Sequence, residues 1–183
     1  MLAALGMLLL ALAINNPVLR ESREEINRGG RVKIGPVTAG SQLTQTFEST
    51  EDSWTAVSVR LESLSDADEM ILHLALEKGS TKLVQKDFPL VGLKRSSLLE
   101  LTLPSLPAGT YTLRVSASGT GSATLNGRAA DAPAQLDGTP LEGGVYLRLT
   151  YSWKEISLQA AYIGLTLLLL SLTPPWRGKK VQA

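Results

Sequence analysis

Few side chains in this sequence are of a type that carries chemistry, and His73 is the single histidine among them. No second ligand lies at metal-binding spacing from it. No nucleophile lies at a spacing that marks a general-base pair, so His73 reads as a structural or surface histidine. Asp66, Asp68 and Glu69 crowd one short segment. Their oxygens could hold calcium, but the spacing matches no defined calcium loop, and aspartate suits turns for conformational reasons. No two carboxylates are marked as a hydrolytic couple. The absence of cysteine removes disulfides, thiolate metal sites and cysteine nucleophiles. The expectation is no catalytic residue, no metal ligand and no cofactor.

Aromatic residues make up only 5% of the chain. Phe47, Trp54 and Tyr111 fall within strand-like segments and are expected in a core. Tyr146 falls on the face opposite Val145 and is the candidate for exposure. Four rings so placed do not make a stacking platform. The net charge of +1 leaves no electrostatic footprint for nucleic acid.

The elements that would position these residues run from Ile34 to Trp153. Trp54–Leu64 alternates most clearly, with Val57, Val59 and Leu61 on one face and Ser58, Arg60 and Glu62 on the other. Arg31–Ile34, Leu43–Phe47, Met70–Leu76, Leu83–Phe88, Leu98–Leu103, Tyr111–Val115, Ala123–Leu125 and Val145–Trp153 read as further strands. Asn126–Gly144, rich in Gly, Pro, Asp and Ala, reads as a long loop. Short alternating strands without a helical period predict an antiparallel β-sandwich, with jelly-roll connectivity as one member of that class.

Two apolar ends flank this region. Met1–Ile14 carries no charged side chain, and Asn15–Leu19 extends it to about 19 residues, near the ~20 of a membrane span. A signal peptide is the competing reading, with Ala11-Leu-Ala13 as a cleavage signature but no basic segment before it. Ile156–Thr173 is uncharged and leucine-rich. Trp153 and Trp176 flank it, ~34 Å apart along a helix, as membrane-interface anchors would be. Ala160 and Gly164 are four apart, as helix-packing residues or as ordinary membrane-helix small residues. The expected order is a transmembrane helix (1–19), a linker (20–33), the sandwich (34–153), a second transmembrane helix (154–175) and a tail (176–183). Arg177, Lys179 and Lys180 favour a cytoplasmic C-terminus, whereas Arg20, Arg23, Arg28 and Arg31 pull the other flank inward.

Ile34-Gly-Pro-Val-Thr-Ala-Gly40, Gln45-Thr-Phe47, Val57-Ser-Val-Arg-Leu61 and Leu72-His-Leu-Ala-Leu76 follow one another in order. Leu83-Val84, Leu101-Thr-Leu-Pro-Ser-Leu-Pro107, Thr110-Tyr-Thr-Leu-Arg-Val115, Asp137-Gly138 and Val145-Tyr-Leu-Arg-Leu-Thr-Tyr151 continue the series. Together they resemble the jelly-roll, carbohydrate-binding-module-like extracytoplasmic domain of bacterial membrane-tethered proteins. Pro107-Ala-Gly-Thr-Tyr-Thr-Leu-Arg-Val115 is also similar to the secreted pre-peptidase C-terminal domain. The resemblance implies an extracytoplasmic sandwich without catalysis in the domain, and it carries over no ligand-binding residue. Two spans and a cytoplasmic C-terminus put both termini inside and the sandwich on the periplasmic or extracellular side of a bacterial inner membrane, the side that the resemblance also implies.

Neither apolar end contains an ionisable residue of the kind a transport pathway needs. The expected function is a non-enzymatic accessory subunit of a larger bacterial membrane complex, for example respiratory or photosynthetic. Its spans would pack on integral membrane partners within the lipid bilayer. The alternative is a membrane-tethered module that binds a glycan or another extracytoplasmic ligand. A third reading, an enzyme whose residues are scattered through the chain, requires a polar cleft that only a structure can reveal.

Overall fold

The computed structural model describes residues 2–15, 18–129, 133–155 and 158–172. Most of them are in strands. The order is α1 (Leu2–Asn15), β1 (Val18–Ile26), β2 (Arg31–Thr38), β3 (Gln42–Ser49), β4 (Trp54–Ser65), β5 (Ile71–Lys78), β6 (Thr81–Pro89) and β7 (Leu98–Leu106). Then come β8 (Gly109–Ser118), β9 (Ser122–Arg128), β10 (Gln135–Leu136), β11 (Thr139–Pro140), β12 (Gly144–Val145), β13 (Leu147–Glu155) and α2 (Leu158–Leu172). Two compact units result, Glu21–Ser152 and a second formed by the two ends of the chain.

The larger unit is an antiparallel sandwich. One sheet has the order β11-β10-β3-β8-β5-β6. The other has the order β1-β13-β4-β9-β12, with β2 also on β9 and β7 also on β4. The chain passes from one sheet to the other between β2 and β3, β3 and β4, β4 and β5, β6 and β7, β7 and β8, β8 and β9, β9 and β10, and β11 and β12. Apart from the hairpins β5–β6 and β10–β11, most neighbouring strands are therefore distant in sequence, as in jelly-roll-like sandwiches.

Alternation decides which side chains fill the space between the sheets. Leu43 and Phe47 of β3, Leu72, Leu74 and Leu76 of β5, and Tyr111, Leu113 and Val115 of β8 enter from one side. Val57, Val59 and Leu61 of β4, Leu99 and Leu101 of β7, Leu125 of β9, and Leu147 and Leu149 of β13 enter from the other. Phe47, Trp54 and Tyr111 form one cluster, with Trp54 edge-on to Tyr111 at 4.8 Å between ring centroids. Pro107 O accepts from both Trp54 Nε1 (3.2 Å) and the Tyr111 hydroxyl (2.6 Å), so the polar ends of both rings are satisfied.

Several expectations change. The segment expected as a linker over 20–33 holds most of β1 and the start of β2. Its mixed charge reads as solvated, yet two of its carboxylates bind tyrosines: Glu25 accepts from the Tyr146 hydroxyl and Glu24 from the Tyr151 hydroxyl. Tyr146 is accordingly buried, with the Arg128 guanidinium 5.4 Å from its ring centroid. The loop expected over 126–144 contains the end of β9 and the small pair β10–β11. Strand β7 runs past Pro104 to Leu106. The outward face of β4 is not simply solvated either, because Ser58 and Glu62 are buried there.

The two-pass membrane topology is overturned. Helix α1 has 14 residues and α2 has 15. At 1.5 Å per residue they are ~21 and ~22 Å long, against a hydrocarbon core of ~30 Å. Among the described residues no helix is long and apolar enough to cross a membrane. The shortening has a local cause. Residues expected to extend each helix lie in strands instead: Val18 and Leu19 belong to β1, and Lys154 and Glu155 belong to β13. The assignment to a bacterial inner membrane, with both termini cytoplasmic, falls with the spans on which it was built.

Candidate functional site

The outer face of the six-stranded sheet gathers hydrogen-bonding side chains in register. Three rungs cross β3, β8, β5 and β6. Gln42, Ser116, His73 and Asp87 form the first. Thr44, Arg114, Ala75 and Gln85 form the second, and Thr46, Thr112, Glu77 and Lys82 the third. Each rung is set by cross-strand pairing, so residues remote in sequence stand about 5 Å apart.

Ala75 is the only short apolar side chain in these rungs, and it is covered by longer neighbours. Its small volume makes the floor of a hollow of about 360 Å³, lined by Gln42, His73, Lys82, Gln85, Arg114 and Ser116. A second hollow of about 290 Å³ lies on the other side of β3, against Thr44, Thr46, Pro133, Gln135 and Pro140. The β10–β11 turn is fixed there by Asp137. Its carboxylate accepts from the Gln42 backbone N–H at 2.7 Å, and its own N–H donates to Gln42 O at 2.9 Å.

The charged groups on this face hold one another. Arg114 donates from Nε (3.1 Å) and Nη2 (3.0 Å) to the two oxygens of Glu77, a two-pronged contact that fixes both side chains. That contact lowers the Glu77 pKa and raises that of Arg114. Lys82 Nζ donates to Gln85 Oε1 at 2.8 Å. His73 Nδ1 lies 2.7 Å from Asp87 Oδ1, and its Nε2 lies 2.9 Å from Ser118 Oγ. The hydrogen bond with His73 lowers the Asp87 pKa.

Sequence reasoning finds no partner for His73 because its partners come from other strands. Asp87 is its direct partner across β5 and β6, and Ser118 lies two residues beyond its partner Ser116 on β8. The only signal in the sequence is polar alternation, which any solvated strand shows.

The residues singled out from the sequence lie elsewhere. Trp153 is exposed near the end of β13. Trp176 falls outside the described residues, as does the Ala160 side chain, although the Ala160 backbone is in α2. Gly164 sits where α2 meets α1: a Cβ added there would lie 2.9 Å from Gly6 O. In the acidic segment, Glu69 Oε2 accepts from Thr120 at 3.4 Å and Asp66 Oδ2 accepts from Ser65 at 3.3 Å. No group of three metal-ligating side chains comes together among the described residues.

No protein-family model and no curated protein matches the sequence. Some solved structures are similar in backbone. The CBM36-1 domain of a multidomain xylanase from the hindgut metagenome of Trinervitermes trinervoides is 13% identical, with 71% of this chain and 96% of that one covered and a TM-score of 0.34. TmCBM61, solved in complex with β-1,4-galactotriose, is 12% identical over 75% of this chain and 88% of that one, with a TM-score of 0.32. The VP2 subviral particle of infectious bursal disease virus is 9% identical over 75% of this chain and 42% of that one, also at 0.32. Likeness at this level carries no functional argument, and the geometry of the polar face must supply one.

Proposed function

We propose that the chain is a binding module for a polyhydroxylated ligand, a glycan, on the outer face of the six-stranded sheet. The observation that carries this reading is the set of three polar rungs around the Ala75 floor. Hydroxyls, amides and a guanidinium offer donors and acceptors side by side, which is what a sugar presents in return. Glu77 lies against Arg114 and Lys82, and Asp87 against His73, so the face suits a neutral ligand better than a strongly charged one. From β6 to β10 the face is five strands wide, ~19 Å at the usual spacing, enough for a short linear oligosaccharide lying across the strands.

No aromatic residue stands in the three rungs, so binding rests on hydrogen bonds without ring stacking. Such contacts give weak affinity, on the order of 0.1–1 mM. The accessory-subunit reading loses its main support, since it required two membrane spans.

The test is a screen of the full chain against neutral oligosaccharides, followed by titration calorimetry. Ala75→Gln fills the floor without adding charge opposite Arg114, and both it and Ala75→Arg are expected to weaken binding at least about tenfold, roughly 1.4 kcal/mol. A chain that binds no oligosaccharide, or binds one equally well after either substitution, overturns the reading.

A further inference from the structure

The order of hydrogen bonds around His73 has a chemical meaning. An ionised Asp87 carboxylate can only accept, so the proton between it and His73 Nδ1 belongs to the ring. In the neutral imidazole Nε2 then carries the lone pair, and the Ser118 hydroxyl 2.9 Å away donates to it. A carboxylate on Nδ1 and a serine hydroxyl on Nε2 is the arrangement that draws a proton from serine as its oxygen attacks an acyl carbon. Ser118 is exposed at the end of β8, so a substrate can reach its Oγ from solvent. The turn that follows is tightly held. A Cβ on Gly119 would strike Glu69 O and one on Gly121 would strike Asp66 O, so the backbone on which Ser118 rests has little freedom.

We propose that Ser118, His73 and Asp87 form an acyl-transfer site, with Ser118 Oγ as nucleophile and carboxylic esters as the substrate class. Ser118 Oγ bonds to the ester carbonyl carbon while its proton passes to His73 Nε2. The bond from that carbon to the alkoxy oxygen breaks, and the departing alcohol takes the proton from Nε2. Water attacks the acyl-serine by the same route, returning the serine and releasing a carboxylic acid. Asp87 acts as a positioning residue that keeps the ring in the Nδ1–H tautomer. It is 58% exposed, so solvent screens its charge and activation is modest. Acylation by activated esters is the expected behaviour rather than fast turnover. The hollow begins at His73 and Ser116, so an O-acylated sugar is the ester that fits; this last step alone rests on the glycan reading.

The full chain is treated with a fluorophosphonate probe and with p-nitrophenyl acetate, and the adduct is located by peptide mass spectrometry. One adduct on Ser118 is expected, absent in Ser118→Ala. His73→Ala and, as a second variant, His73→Gln are expected to slow labelling about a hundredfold at unchanged melting temperature. Asp87→Asn is expected to slow it less and to move the ring toward the Nε2–H tautomer, read by nitrogen NMR of the imidazole. No adduct on Ser118, or the same labelling rate without His73, overturns the proposal. Labelling and oligosaccharide binding, both measured on the unaltered chain, separate the two readings. Binding without labelling removes only the acyl-transfer site, and labelling without binding removes only the glycan.

Discussion

Glu62 is the residue whose environment departs furthest from its place in the sequence pattern. Alternation puts it on the outward face of β4, yet its side chain is 4% exposed. Three groups satisfy it: Arg31 Nη2 at 2.7 Å, Asn126 Nδ2 at 3.0 Å and Arg95 Nη2 at 2.8 Å. The Arg31 hydrogen bond is the largest cause holding its pKa near 2, helped by Asn126 and Arg95 and opposed by burial. A depressed carboxylate pKa stabilises the fold fully above the unfolded value of 4.5, and that contribution is lost as pH falls toward about 2. Glu62→Gln removes the charge but leaves both arginines more than half exposed, able to recover hydration. The expected cost at neutral pH is therefore about 2 kcal/mol, below that of breaking a fully buried pair. Denaturation curves taken from pH 7 to pH 2 check this. The variant should show a flatter acid limb, and an unchanged limb would mean that Glu62 is not held as described.

At the scale of elements, β1 is the least secured strand of the sandwich. It sits at the edge of its sheet, beside β13 alone. Besides its hydrogen bonding to β13 it is held by side chains: Glu24 to Tyr151, Glu25 to Tyr146 and, just past its end, Asn27 Nδ2 to Val145 O at 2.8 Å. Burial, and then the Glu24 contact, push the Tyr151 pKa up to about 12. Its neutral form therefore supports the fold fully below its ordinary value of 10, and that support fades as pH rises toward 12. Glu24→Ala is expected to cost about 1–2 kcal/mol. It should speed amide exchange over 21–26 while leaving β3, β5 and β8 protected, as read by exchange mass spectrometry. Uniform loss of protection would show that β1 is integral to the core. The contrast explains what the sequence reveals. Strands β4, β5 and β8 announce themselves because every second residue is a large apolar one. Strand β1 is rich in Arg and Glu, and two of its carboxylates find their partners in tyrosines more than a hundred residues away. The polar face is hidden for the same reason, since strand register, not spacing, brings Ser118 and Asp87 to His73.

The whole molecule divides into the sandwich and the unit formed by its two ends, and glycine matters in both. In the sandwich, glycines such as Gly119 and Gly121 serve turns with positive φ. In the helical unit they serve contact. A Cβ on Gly6 would lie 2.7 Å from Gly164 O, and one on Gly164 would lie 2.9 Å from Gly6 O and 3.0 Å from Leu10 N. Side chains bring little selectivity to this seam, because both helices are apolar on all sides and many of their leucines are exposed. Close backbone approach is then what sets the pairing of α1 with α2. Gly164→Leu should force the helices apart, with an expected cost of about 2 kcal/mol or more to their association. Exchange of α1 and α2 amides should rise together, since each helix is the other's support, while β4 and β8 keep their protection. Gly164→Ala, which adds one methyl group, should fall between wild type and Gly164→Leu. If the leucine variant exchanged like wild type, the two glycines would be neighbours without being the reason the helices pair.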